Sequence, residues 1–380
     1  MSAGDVTGPA EQLDGAAALR QMLDDAHLLV TCGPGGVGKT TCAAALGLAA
    51  ARSGRTVVVV TVDPARRLAD ALGIDASASE PSEVEGATDG ADNSEGSLWA
   101  LMLDAEATFD QLVRNEAPDA ERAEAILRNP VYRTITGALA GAQEYMAIER
   151  LHQLHASGRF DLVIIDTPPS RHALDLLEAP QRLSGFLGHP VYRALTVPGR
   201  TFARVANAAS SAFLWTVRKL AGPRIVEDTL EFFRSISSME EGLRRRADEV
   251  SSLLRAERTR FVVVTSPRAE AISESSFLLD GLRDGSFPVG GVVVNMVHPR
   301  PETIEALTGD LDPEVLGPGP FSDQLAHHRD LTALADAERA ELAPFMADAA
   351  PAAVNELPLL DEDVHDLDGL RLLADLLVGP

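Results

Sequence analysis

The sequence predicts an α/β fold: a doubly wound, mostly parallel sheet with a helical subdomain inserted after the strand that ends at Asp166. Three observations predict it. A short apolar run, LLVTC (28–32), passes through a glycine-rich turn, GPGGVGKT (33–40), directly into an alanine-rich helical stretch. The run TVVVVTVD (56–63) is continuously β-branched, the composition of a strand buried on both faces of a parallel sheet. Strand patterns then alternate with helical ones as far as residue 378, as βαβ units require.

In chain order, residues 1–26 read as an N-terminal extension, and 27–170 as the first part of the core. Within that part, 75–97 is acidic, rich in Ser and Gly and nearly free of large apolar residues, so it is expected to be a disordered loop. LWALML (98–103) resumes as a strand, 104–158 is mainly helical, and FDLVIIDTPPS (160–170) is a strand that ends in an aspartate and a proline turn. Residues 171–258 read as the helical subdomain. The second part of the core, 259–380, holds strands at 261–266, 290–297 and 352–360 and helices at 320–348 and 367–378. No internal repeat is present, so the pattern is one nucleotide-binding unit and not a tandem pair.

Composition narrows the function. The 380 residues carry 57 acidic and 33 basic side chains, a net charge of −24. Nucleic-acid binding draws on Lys and Arg against phosphates, so no nucleic-acid partner is expected. The two cysteines, Cys32 and Cys42, form no CxxC pair, which argues against a thiolate zinc site. The first fifteen residues hold no basic region and no apolar run, and no stretch is apolar for the ~18 residues of a membrane span. A cytoplasmic protein, at most peripheral at a membrane, is expected. Only two of the basic residues are lysines, Lys39 and Lys219. Lys39 lies inside the glycine turn, where a compact charge and not a guanidinium fork is suitable.

Gly33 to Thr40 fits the phosphate-loop pattern G-x-x-x-x-G-K-[ST]. Glycines let backbone N–H groups converge on phosphate oxygens, and the helix N-terminus adds partial positive charge. Lys39 is expected to neutralise the β- and γ-phosphates, and the Thr40 hydroxyl to bind Mg²⁺. Two carboxylates stand at strand ends: Asp63 after the second strand, and Asp166 in the position that reaches Mg²⁺ directly or through water. The candidate catalytic set is Lys39, Asp63 and Asp166.

These residues resemble the arsenite-pump and tail-anchored-protein-targeting ATPases, the ArsA/GET family within the MinD/ParA-like group. GGVGKTT, VDPARRLADALG, LMLDAEATFDQL, DTPPSRHALDLL, VVVNMV and ELPLL occur in the family's order between about residues 27 and 378. The resemblance implies ATP and ADP with Mg²⁺ as ligands. It implies a phosphate loop of Gly35, Gly36, Val37, Gly38, Lys39 and Thr40, with Thr41 at the α-phosphate. It further implies Asp63 as the switch I group that activates water, Asp166 as the start of switch II, Asn295 as the reader of adenine, and Pro358 in the segment that closes over the base.

Two departures from the family stand out. The family pattern K-G-G-x-G-K-T begins with a lysine that reaches across a dimer to the partner's phosphates, and here that position is Pro34. A charge donated in trans is worth about 10³–10⁵ in rate, by analogy with arginine fingers. Either a related ATPase chain supplies the lysine in a hetero-oligomer, or hydrolysis is slow, or Arg66 or Arg67 substitutes; a homodimer stays open. The CxxC pair that clamps the targeting members through zinc is also missing, so no zinc is expected.

The run 199–221 sets Phe202, Val205, Ala206, Ala209, Phe213, Val217 and Leu220 on one helical face. The resemblance implies an apolar groove there for a transient client, a hydrophobic helix of a membrane protein; packing within the subdomain is the alternative. The expected function is an ATP-dependent dimeric switch handling such segments. Its rivals are the energising subunit of an anion efflux system and a weakly hydrolysing regulatory subunit.

Overall fold

The computed structural model describes residues 9–62, 72–74, 78, 80–90, 95–130, 132, 142–168, 170–188, 231–232, 235–301 and 320–379. The chain divides into two compact units, one of residues 1–102, 158–173 and 257–380, the other of 103–157 and 174–256.

The first unit is built on an eight-stranded sheet: β1 (Leu28–Cys32), β2 (Thr56–Thr61), β3 (Ser82–Glu83), β4 (Ser97–Met102), β5 (Leu162–Asp166), β6 (Thr259–Thr265), β7 (Val289–Val297) and β8 (Ala353–Pro358). The order is β3-β4-β2-β5-β1-β6-β7-β8. Every pairing is parallel except β3 with β4. The central strands are apolar and buried on both faces, and their β-branched runs could not be satisfied in a sheet open to water on one side. Among the described residues, four helices belong wholly to this unit besides α1 (Pro9–Asp25): α2 (Lys39–Arg52), α8 (Ala269–Asp284), α9 (Pro320–Ala349) and α10 (Leu367–Val378). α2 contributes a nearly continuous buried Ala/Leu/Cys surface and packs against α10.

Two features of this unit differ from the sequence reading. The extension 1–26 contains α1, whose Leu19 and Leu23 are buried and which packs on β8 and α10. Arg20 Nε donates to the Val378 carbonyl at 2.8 Å, tying the two ends of the unit together. Part of the acidic segment 75–97 is ordered: Ser82 pairs with Ala100 and Glu83 with Trp99, and the Val84 N–H donates to Leu98 O at 2.8 Å. The anchors are Val84 and Ala87, both buried, and these few apolar atoms are enough to seat an edge strand.

The second unit contains α3 (Ala105–Glu116), α4 (Ala120–Arg128), α5 (Ala142–Ala156), the later part of α6 (Ser170–Gly188) and α7 (Glu240–Leu254). It is assembled from two chain segments, where the sequence reading assigned a helical subdomain only to 171–258. Asp104 and Asp119 cap α3 and α4, accepting from the N–H groups of Ala107 and Arg122 at 2.9 and 2.8 Å. Leu112, Ile126, Tyr132, Met146, Phe232 and Leu243 belong to its core. Glu149 is fully buried there and accepts from Arg246 Nε at 3.0 Å and Gln153 Nε2 at 2.9 Å. The amphipathic run 199–221 lies outside the described residues.

Candidate nucleotide site

The site stands at the carboxyl ends of β1, β2, β5, β6 and β7, where open α/β sheets bind ligands. β1 delivers the chain to Gly33 in the middle of the sheet. A Cβ at Gly33 would sit 2.0 Å from the Val264 carbonyl of neighbouring β6, so the turn can be this tight only with glycine. At the other end of the loop Gly38, at φ 85°, precedes the first residue of α2 and has a left-handed conformation that a side chain resists. Between them Gly35 and Gly36 are exposed, and Val37 is buried as the loop's apolar anchor. The first N–H groups of α2 have no intrahelical acceptor and carry the positive end of the helix dipole, with no acidic residue in the first turn to quench it. Thr41 lies half-buried in that turn.

Lys39 is only 8% exposed, and its Nζ donates to the Pro34 carbonyl at 2.7 Å. The side chain thus folds back over its own loop. Asp166, fully buried at the end of β5, lies between strands β2 and β1 in the sheet. Its Oδ2 accepts from Thr40 Oγ1 at 2.6 Å and from Thr61 Oγ1 at 2.9 Å. Thr167 Oγ1 donates to Thr31 O at 2.8 Å, fixing the start of the turn that follows. A carboxylate touching a threonine hydroxyl at the head of a phosphate loop is an all-oxygen donor pair, the kind a hard cation such as Mg²⁺ takes and a soft one does not.

Burial pushes the thiols of Cys32 and Cys42 up to about 12. For Cys32 the nearby Lys39 charge opposes that rise only in part; for Cys42 the Asp166 charge adds to it. Both thiols are therefore held in the protonated form near neutral pH.

Asn295, near the end of β7, is buried, and its Nδ2 donates to the Val37 carbonyl at 3.0 Å. Pro358 ends β8 and is paired with Val297. The structure therefore brings Gly35 to Thr41, Asp166 and Asn295 together and places Pro358 on the strand next to β7. Asp63, Arg66 and Arg67 lie outside the described residues. Sequence reasoning missed Arg268. Its Nε donates to Ser266 Oγ at 3.3 Å, and its guanidinium lies 3.8 Å from where a Gly36 Cβ would be. It follows strand β6, and only the β6–β1 pairing brings it to the loop.

A glycine cradle between a parallel strand and a helix, one buried lysine, and a carboxylate held to the threonine after it define a P-loop nucleoside-triphosphatase. Residues 26–308 match the model of the anion-transporting ATPase family, ArsA_ATPase, and the chain belongs to that family. Similar curated proteins include ATPase GET3C of Arabidopsis thaliana, 27% identical over 71% of this chain and 67% of that one. ATPase GET3B of the same plant is 26% identical over 91% and 77%. ATPase GET3 of Malassezia globosa is 25% identical over 95% and 94%. ATP hydrolysis to ADP and phosphate is accordingly the reaction of this chain.

Proposed function

We propose that the chain is a MgATP-driven switch of the ArsA/GET type that closes against a second, related chain and handles hydrophobic segments of membrane proteins in the cytosol. The observation that carries the proposal is the 2.6 Å contact between Thr40 and Asp166 beneath an open glycine loop. Thr40 and Asp166, the latter through water, would hold Mg²⁺, which when bound offsets negative charge on the phosphates. Lys39 and the first amides of α2 bind the phosphate oxygens. Asp63 takes the proton of the attacking water; the new bond forms to the γ-phosphorus, and the bond to the bridging oxygen breaks with ADP as leaving group.

The resemblance to the targeting branch supports a client helix, and among the described residues no helix is long and apolar enough to cross a membrane itself. The anion-efflux alternative is weakened by the position of Cys32 and Cys42, both buried beside the phosphate loop and not gathered in an accessible cluster. Pro34 favours a second reading, a weakly hydrolysing subunit that needs a related partner to supply a lysine. The experiment is ATP hydrolysis and light-scattering mass of the purified chain, with and without nucleotide, together with photo-crosslinking to a transmembrane-helix peptide. Lys39→Ala is the control and is expected to abolish tight binding. Nucleotide-dependent association and crosslinking support the switch; equal activity in Lys39→Ala, or crosslinking indifferent to nucleotide, refutes it.

A further inference from the structure

Arg268 comes to the phosphate loop from the neighbouring strand. β1 and β6 run parallel with Cys32 opposite Val263, and Gly33 lies against the Val264 carbonyl. The segments that follow, 34–36 and 266–268, therefore leave the sheet side by side. Arg268 stands at the head of α8 in an extended conformation, φ −93° and ψ 131°. Its carbonyl accepts from the Ile272 N–H at 2.9 Å, which fixes the backbone there. Its Nε donates at 3.3 Å to the hydroxyl of Ser266, a buried residue. The root of the guanidinium is thus tethered, and Nη2 lies 3.8 Å from where a Gly36 Cβ would be.

The charges around that position are unequal. Within the loop, residues 33–40, Lys39 is the only ionisable side chain, and Pro34 carries no charge. Among the described residues Arg268 forms no ion pair, although the chain has 57 acidic residues and Glu270 stands in the first turn of α8. Arg52 and Arg246, by contrast, are held by Asp375 and Glu149. We infer that Arg268 binds the outer phosphates of the nucleotide seated in its own chain's loop, as a second cation beside Lys39. The inference rests on the nucleotide-site reading above and deepens it. A guanidinium keeps its charge at every physiological pH and offers a planar fork of N–H groups to two phosphate oxygens at once. Arg268 is exposed and held by one side-chain bond, so its fork can follow the phosphates without disturbing β6.

The test compares Arg268→Gln with Arg268→Lys. Affinities for MgATP and inorganic tripolyphosphate are measured at low salt by displacement of a fluorescent ADP, beside the melting temperature without ligand. Arg268→Gln is expected to lower both affinities about tenfold, the size of one hydrogen bond between charged groups. Arg268→Lys, which keeps the charge, is expected to recover most of that loss, and all three chains are expected to melt together. The loss is expected to be the same in dilute and concentrated protein, with light scattering giving the mass at each concentration. Unchanged affinity in folded Arg268→Gln overturns the inference. So does a loss that appears only when chains associate, which would give the guanidinium to a partner's nucleotide. A loss that Arg268→Lys leaves in place and that comes with a lower melting temperature overturns it too, because the side chain would then be structural. A wild-type chain that binds neither ligand instead overturns the nucleotide-site reading beneath it.

Discussion

Asp166→Asn separates a carboxylate kept for its charge from one kept for its hydrogen bonds. Asp166 is fully buried, and its Oδ2 accepts from the hydroxyls of Thr40 and Thr61 at 2.6 and 2.9 Å. The asparagine oxygen can accept both, so the geometry survives at neutral-bond strength while the cost of burying a charge disappears. Those changes oppose each other, and the variant is expected to melt within a few degrees of the wild type, a shift of about 1–2 °C per kcal/mol for a chain of 380 residues. Nucleotide binding with magnesium should behave otherwise. One unit-charge pair about 4 Å apart at an effective dielectric of about 20 is worth about 4 kcal/mol, or about 10³ in affinity. Fluorescent-ATP titration with Mg²⁺ and with chelator, beside calorimetric melting, reads both quantities. A variant that binds MgATP as the wild type does, or that loses many degrees of stability, refutes the reasoning, because the carboxylate would then be structural.

Pro34→Lys keeps the backbone carbonyl that accepts from Lys39 and adds an ammonium; hydrolysis by the chain alone is expected to rise, by up to about 10³ if the missing charge limits the rate, and flat rates refute that cause. Arg268→Gln removes the guanidinium beside Gly36, and ATP affinity is expected to fall about tenfold at low salt and less at high salt, read by the same titration at two ionic strengths; a salt-independent result places Arg268 outside the site. In the helical unit His152 is held below its ordinary 6.5, first by burial and then by Arg246 and His155, with Glu249 opposing. Its contribution to stability is complete above about pH 6.5 and is lost as pH falls through its lowered value, so His152→Gln is expected to flatten the acid side of a urea-midpoint profile; an unchanged slope refutes this.

Much of the architecture is legible because it is local. VVVV in β2 and the alanine face of α2 carry their burial in composition alone, and α10 occupies the 367–378 expected of it. The phosphate loop is legible for the same reason, since strand, glycines and helix are contiguous. What escaped depends on partners distant in sequence. α1 carries few large apolar residues and becomes a core helix only because β8 and α10 are there to receive it. β3 hangs on Val84 and Ala87, two small side chains in an acidic run. The helical unit draws on 103–157 as well as 174–256, a division no periodicity encodes.

The same distinction governs the site. A motif names residues, and it is silent about what each of them touches across a strand crossing. Asn295 and Val37 are 258 positions apart, and their contact exists because β7 carries one residue too many for β8. Arg268 reaches the loop because β6 lies beside β1. Both lie on the β6–β7 side of the phosphate loop, whereas Asp166 lies on the β5 side. The loop is therefore clamped from two directions by groups of different kinds: a carboxylate that orients a hydroxyl, and an amide that holds a carbonyl. Changes on the first side should alter dependence on magnesium, and changes on the second should alter affinity for nucleotide without altering that dependence. A magnesium titration of Asn295→Asp that shifts as far as that of Asp166→Asn would dissolve the division.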